Sequence, residues 1–141
     1  MTPSSSEIAV RIAAAFVLGA LAGVERQWHH KHAGLRTHTL VSVGAAAFTI
    51  VSSLGLGPTT NPMLIAAGVV SGIGFIGGGV IMHQGPTVQG INTAATLWTT
   101  ASIGVAAGAG YYTVMALVFA ALLVVQFPLG WLEIWIDRRS E

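Results

Sequence analysis

Residues 37–132 read THTLVSVGAAAFTIVSSLGLGPTTNPMLIAAGVVSGIGFIGGGVIMHQGPTVQGINTAATLWTTASIGVAAGAGYYTVMALVFAALLVVQFPLGWL, without a single Asp, Glu, Lys or Arg. The only titratable side chains in this stretch are His38, His83, Tyr111 and Tyr112. A surface facing water needs solvated charges, whereas hydrocarbon penalises a charge at a helix centre by roughly 2.5 to 3.5 kcal/mol on insertion scales. Ninety-six neutral residues in a row are what lipid selects. The sequence therefore reads as an all-α integral membrane protein.

The rest of the composition narrows the function. Only 8% of the 141 residues are charged, against about 25% in an ordinary soluble domain. Six Lys and Arg against five Asp and Glu leave a net charge of +1, which supplies no basic surface for nucleic acid. Cys is absent, so disulfides, thiolate metal sites and Cys nucleophiles are excluded together. The one Asp is Asp137, near the C-terminus. No Ser-His-Asp arrangement can form in the neutral region, and the reading is of a non-enzyme with no cofactor.

Five apolar spans separate at turn residues: 8–24, 39–56, 63–82, 93–109 and 112–136, within one domain covering 1–141. Gly57-Pro58 and Asn61-Pro62 end the second span, Gly85-Pro86 marks a loop over 83–91, and Asn92 is placed to cap the fourth helix. Pro128 is expected to kink the fifth, since it removes a backbone donor. Arg11, in the first turn of span one, is expected to snorkel outward. Ala20-Leu21-Ala22 has the form of a signal-peptide cleavage site, but Met1 to Ser6 carry no basic side chain.

Residues 25–38, ERQWHHKHAGLRTH, hold four of the eleven charges and four of the five His, and read as a wet loop. Arg26, Lys31 and Arg36 on one side of four spans and Arg138-Arg139 on the other place this loop and the C-terminus in the cytoplasm, with the N-terminus outside. Trp131 and Trp135 at one end of span five, and Tyr111-Tyr112 at the other, serve as interfacial anchors.

Candidate functional residues follow from what lipid tolerates poorly. Glu25, Arg26, Arg36 and His38 form a charge cluster at the inner membrane boundary, with Glu25 in reach of His29 and Arg26 of His30. Thr39, Ser42, Thr49 and Ser53 share one stripe of span two, and Asn92, Thr96, Thr99 and Thr100 one stripe of span four. These hydroxyls either bond their own backbone four residues back or line a shared polar seam. His29, His30 and His32 lack carboxylate support for a metal, so no metal site is assigned. Four small-residue pairs have GxxxG spacing: Gly19 and Gly23, Gly68 and Gly72, Gly74 and Gly78, Gly104 and Gly108. They serve packing within the chain or a dimer face. The run Gly72, Gly74, Gly77, Gly78, Gly79 is either a packing face or a helix broken at membrane depth.

These strings together resemble the membrane domain of the MgtC/SapB family over residues 17–112. The resemblance rests on Glu25-Arg26, on Gly34 to His38 (GLRTH), on the glycine run from Gly72 to Gly79, and on Gly90, Asn92 to Ala95 and Trp98. Where the family pattern carries Arg before Gly-Leu, Gln before Val-Val-Ser-Gly, Asp before Pro, and in some members Cys after Trp, this chain has Gln89, Gly68, Asn61 and Thr99. Several members continue into a soluble C-terminal domain, whereas this sequence ends at Glu141. The resemblance disfavours signal cleavage, since residues 19–26 lie in the matched core. It implies a protein of the bacterial cytoplasmic membrane linked to growth at low magnesium, acid tolerance and survival in hosts, acting on another membrane complex such as the F-type ATP synthase. Its expected partners are the bilayer, a second copy of the chain, and that complex. The competing expectation is a transporter or channel for Mg²⁺, protons or a small solute. Mg²⁺ favours carboxylate and water ligands, however, and spans two to four contain no acidic residue. The functional residues expected are Glu25, Arg26, Arg36, His38, Asn92, Thr96 and Trp98.

Overall fold

A computed structural model describes residues 3–55, 62–84 and 86–140. Leu56 to Asn61, which include the expected end of span two, lie outside the described residues, as do the side chains of His83 and Gln84. Helices α1 (Ser5–Trp28), α2 (Leu35–Ser53) and α3 (Pro62–Gly79) precede a short hairpin of β1 (Met82–Gln84) and β2 (Thr87–Gln89). Helix α4 (Ile91–Ala109) follows, then α5 (Tyr112–Val124), a π-helical turn (Val125–Leu129) and α6 (Gly130–Ser140). The described residues are all-α apart from the hairpin.

Helix α1 starts where Ser4 accepts from the Glu7 amide at 3.3 Å, with Glu7 favourably placed against the helix dipole. It runs four residues past the expected span, because Glu25 and Arg26 are buried by other helices and so stay in its last turn. Arg11 does more than snorkel: Nη1 donates to the Gly108 carbonyl at 2.6 Å and Nη2 pairs with Glu7. It thus satisfies a carbonyl at the end of α4 that has no partner within its own helix.

The expected loop at 83–91 is instead antiparallel, pairing Met82 with Gln89 and His83 with Val88. Gly90 then turns the chain at φ +92°, and a Cβ there would collide with the Val80 carbonyl. Gly90, not Asn92, caps α4. At Pro128 the helix widens into one π turn, which absorbs the missing donor.

Helix α2 lies between α1 and α4, while α3 and α5 flank that group. The core of the bundle is rich in small residues, Ala15, Ala22, Ala45, Ala46, Ala101, Ala106 and Ala107, joined by Ile50, Ile73, Leu97, Ile103 and Leu122. The outside carries the bulk, with Phe75 87% and Leu64 70% exposed. Water would select the reverse, whereas in lipid close approach over small residues holds helices together. Ser5–Trp28 and Tyr112–Ile136 are long and apolar enough to cross a bilayer. Together with the exterior they point to a membrane protein.

The GxxxG pairs divide. A Cβ on Gly19 would meet Ser42 Cβ at 2.7 Å, one on Gly23 would meet Leu35 Cα at 2.7 Å, and one on Gly108 would meet Thr49 Cβ at 2.8 Å. Among the described residues Gly68, Gly72, Gly74, Gly78 and Gly79 have nothing within 4 Å of such a Cβ, whereas one on Gly77 would touch α4 at Ala94. Helix α3 is continuous from Gly72 to Gly79, so the broken-helix expectation is overturned. The helix's own hydrogen bonds use the backbone groups that a break would have freed. Nor is the glycine run as a whole an internal packing face.

Candidate functional site

The polar residues meet where α1 ends and α2 and α4 begin. Helix α1 closes with a Schellman motif: the His30 amide donates to the Gln27 carbonyl and the Lys31 amide to the Arg26 carbonyl, at 3.2 and 3.0 Å. His30 takes the left-handed conformation at φ 51° that this motif requires. The turn delivers Gly34 against Gln27 and Gly23 against Leu35 and His38. Residues 25–38 are therefore not one wet loop; the solvated part is 29–32, and both ends are folded into the core.

Arg26 is only 4% exposed. Its Nη2 donates to Asn92 Oδ1 at 3.2 Å, and its Nε lies 3.2 Å from Glu25 Oε2. Glu25 Oε1 in turn lies 3.1 Å from His29 Nδ1. The expected Arg26–His30 pair does not form, because His30 leaves the helix in the left-handed turn. Thr96 donates to the Asn92 carbonyl at 2.8 Å. Thr100 donates to the Thr96 carbonyl at 2.9 Å, so its hydroxyl proton is taken, and the 2.9 Å contact with His38 Nδ1 is a bond in which the imidazole donates. His38, completely buried, thus ties the start of α2 to the middle of α4.

The structure therefore brings together Glu25, Arg26, His38, Asn92 and Thr96, and adds Thr100. Arg36 points outward from the first turn of α2. Trp98 is half exposed and lines a separate groove of about 620 Å³ with Thr49, Ser53, Ser102 and Tyr111. The two hydroxyl stripes face each other only in part: Ser42, Thr96 and Thr100 are buried, whereas Thr39 and Thr99 bond the Leu35 and Ala95 carbonyls of their own helices. Among the described residues no group of three or more His, Asp or Glu is placed to hold a metal ion.

One member was not read from the sequence. Gln126, buried in the π turn, donates through Nε2 to the Ala22 carbonyl at 3.3 Å, one helical turn before Arg26. Its signal was available: a lone amide inside a long apolar run, where polar groups are costly and seldom incidental. Glu25 Oε2, Arg26 Nε and Nη1, His38 Nε2, Ser42 Oγ and Gln126 Oε1 are buried with no hydrogen bond from the described residues. The Glu25–Arg26 contact is hence an ion pair by distance and not an aligned hydrogen bond. A cluster of this kind locks three helix ends in one arrangement, and removing one member strands the rest.

The model of the MgtC family matches residues 12–135. The chain is 55% identical over 103 residues to Protein MgtC of Salmonella typhimurium, covering 73% of this chain and 44% of that protein. It is 50% identical over 115 residues to Protein MgtC of Brucella abortus, covering 82% and 48%. It is 46% identical over 134 residues to the protein slr0014 of Synechocystis, covering 95% and 57%. The chain thus spans about half the length of the curated relatives it matches. No solved structure matches it.

Proposed function

The chain belongs to the MgtC family, and from that membership we propose that it is a multi-pass protein of the bacterial cytoplasmic membrane acting by helix contact on another membrane complex. In this reading one domain of five spans places the N-terminus outside and the 29–34 turn and C-terminus in the cytoplasm. Its role is to support magnesium, pH or envelope homeostasis, with the F-type ATP synthase a first complex to examine and a dimer the favoured form of the protein itself. It conducts no ion and catalyses no reaction.

The observation that carries this reading is the open Gly68 and Gly72 pair, one turn apart on α3. A Cβ on Gly68 or Gly72 would meet none of the described residues within 4 Å, and the two border an apolar groove of about 620 Å³ with Leu40, Phe48, Leu64 and Ile76. In lipid a small-residue face lets a second helix approach closely. The polar residues that a transport path would need are instead engaged in holding α1, α2 and α4 together.

Gly72→Leu tests the reading, because the added side chain enters open space within the chain. Affinity purification of the tagged protein from membranes is expected to recover a membrane complex with the wild type and to lose it with Gly72→Leu. Equal recovery would contradict the proposal, as would liposomes in which the pure protein carries Mg²⁺ or protons.

A further inference from the structure

One hydrogen bond sets the relative depth of the two long helices. Gln126 Nε2 reaches the Ala22 carbonyl, so residues 22 and 126 lie level. At 1.5 Å per residue, Trp28 lies about 9 Å beyond that level and Trp131 about 7.5 Å beyond it. These indoles, on different helices, are 80% and 78% exposed. Uncovered Trp side chains at one depth mark the interfacial zone of a bilayer, where amphipathic rings settle.

Cations lie past that level. Trp135 and Arg139 fall about 13 and 20 Å beyond residue 126, and the Arg139 guanidinium stacks 3.9 Å over the Trp135 ring. Stacking engages the face of a guanidinium and leaves its edge of N–H donors to grip paired oxygens. Lys31, Arg36 and Arg138 are exposed at the same end. By sequence, Lys31, Arg36, Arg138 and Arg139 against Glu133, Asp137 and Glu141 leave one positive charge in excess, while Glu25 and Arg26 cancel inside the buried cluster.

We propose that this end of the molecule binds the headgroups of anionic phospholipids, with Arg138 and Arg139 gripping the phosphate and Trp28 and Trp131 seated beside the glycerol region. The inference rests on the membrane reading above. A zwitterionic headgroup brings its own cation to offset its phosphate, so an excess of protein cations selects lipids whose phosphate is uncompensated.

The test is titration of the full chain in detergent micelles with phosphatidylglycerol or phosphatidylcholine, counting bound lipid by native mass spectrometry. The expected result is half-saturation by phosphatidylglycerol at a concentration roughly five-fold or more below that of phosphatidylcholine. That preference should fall in the Arg138→Gln/Arg139→Gln double variant, and fall again when Lys31→Gln and Arg36→Gln are added. Equal affinity for the two lipids, or a preference untouched by all four changes, overturns the inference. A chain that stays in micelles without the preference rejects this inference alone, whereas one that stays monodisperse without detergent rejects the membrane reading beneath it.

Discussion

Arg26 and Asn92, sixty-six residues apart in the chain, meet through a 3.2 Å hydrogen bond that joins the end of α1 to the start of α4. The bond explains why a charged residue ends a helix inside the protein. Glu25 supplies the countercharge, Asn92 an acceptor, and the small residues of α1 and α2 the close approach.

Removing the arginine should cost more than removing the amide. Arg26→Ala leaves the buried Glu25 carboxylate with only the exposed His29 beside it, a change of about 3 kcal/mol, whereas Asn92→Ala strands one guanidinium donor at about 1 to 3 kcal/mol. Unfolding in detergent, followed by circular dichroism, ranks the two. Equal and small effects would mean that the cluster does not hold the helix ends.

The glycine pairs should split by position. A Cβ on Gly104 would run into the Ser42 carbonyl and come within 2.9 Å of Ala45 Cβ, while one on Gly72 meets open space. Gly104→Ala should therefore destabilise by about 1 to 3 kcal/mol, as overpacking does, and Gly72→Ala should hold or gain slightly in stability. Thermal unfolding of the pair decides this; a destabilised Gly72→Ala alongside a neutral Gly104→Ala would reverse the assignment.

At Gln126 one half of the amide is bonded and the other is not. Exchanging it for an apolar side chain of similar shape removes both, so Gln126→Leu should change stability by less than about 1 kcal/mol. A loss well above that in the same unfolding measurement would give the amide oxygen a partner that this account lacks.

Much of the fold was legible because lipid filters composition harshly. The absence of charge over residues 37–132 and the terminating Gly and Pro residues located the helices. Their ends were less legible, since Glu25 and Arg26 stay helical only through Asn92 and the α2 start, contacts made across dozens of residues. The hairpin at Met82–Gln89 is not legible in the sequence because two three-residue strands carry no periodicity. The four GxxxG pairs look alike in sequence, and only the packing shows that two face neighbours while those of α3 face outward. Within the cluster, Glu25, Arg26, His38, Asn92 and Thr96 could be chosen as polar groups in an apolar chain. Trp98 and Arg36 could not be told apart from them without knowing which way each helix face turns.

Topology has a direct chemical readout, because the chain contains no Cys. A single Cys at position 31, in the turn after α1, should react with a membrane-impermeant maleimide only after the inner face is opened, and one at position 111 in intact cells. The opposite pattern would invert the proposed orientation.

A core rich in alanine and glycine beneath an exterior of Phe, Leu and Trp calls for lipid as its solvent. Expressing the chain, washing membranes with alkaline carbonate and following the protein by size exclusion tests this directly. The protein is expected to stay with the membrane pellet and to run as a single species only in detergent. Recovery as a monodisperse species in plain buffer would contradict it.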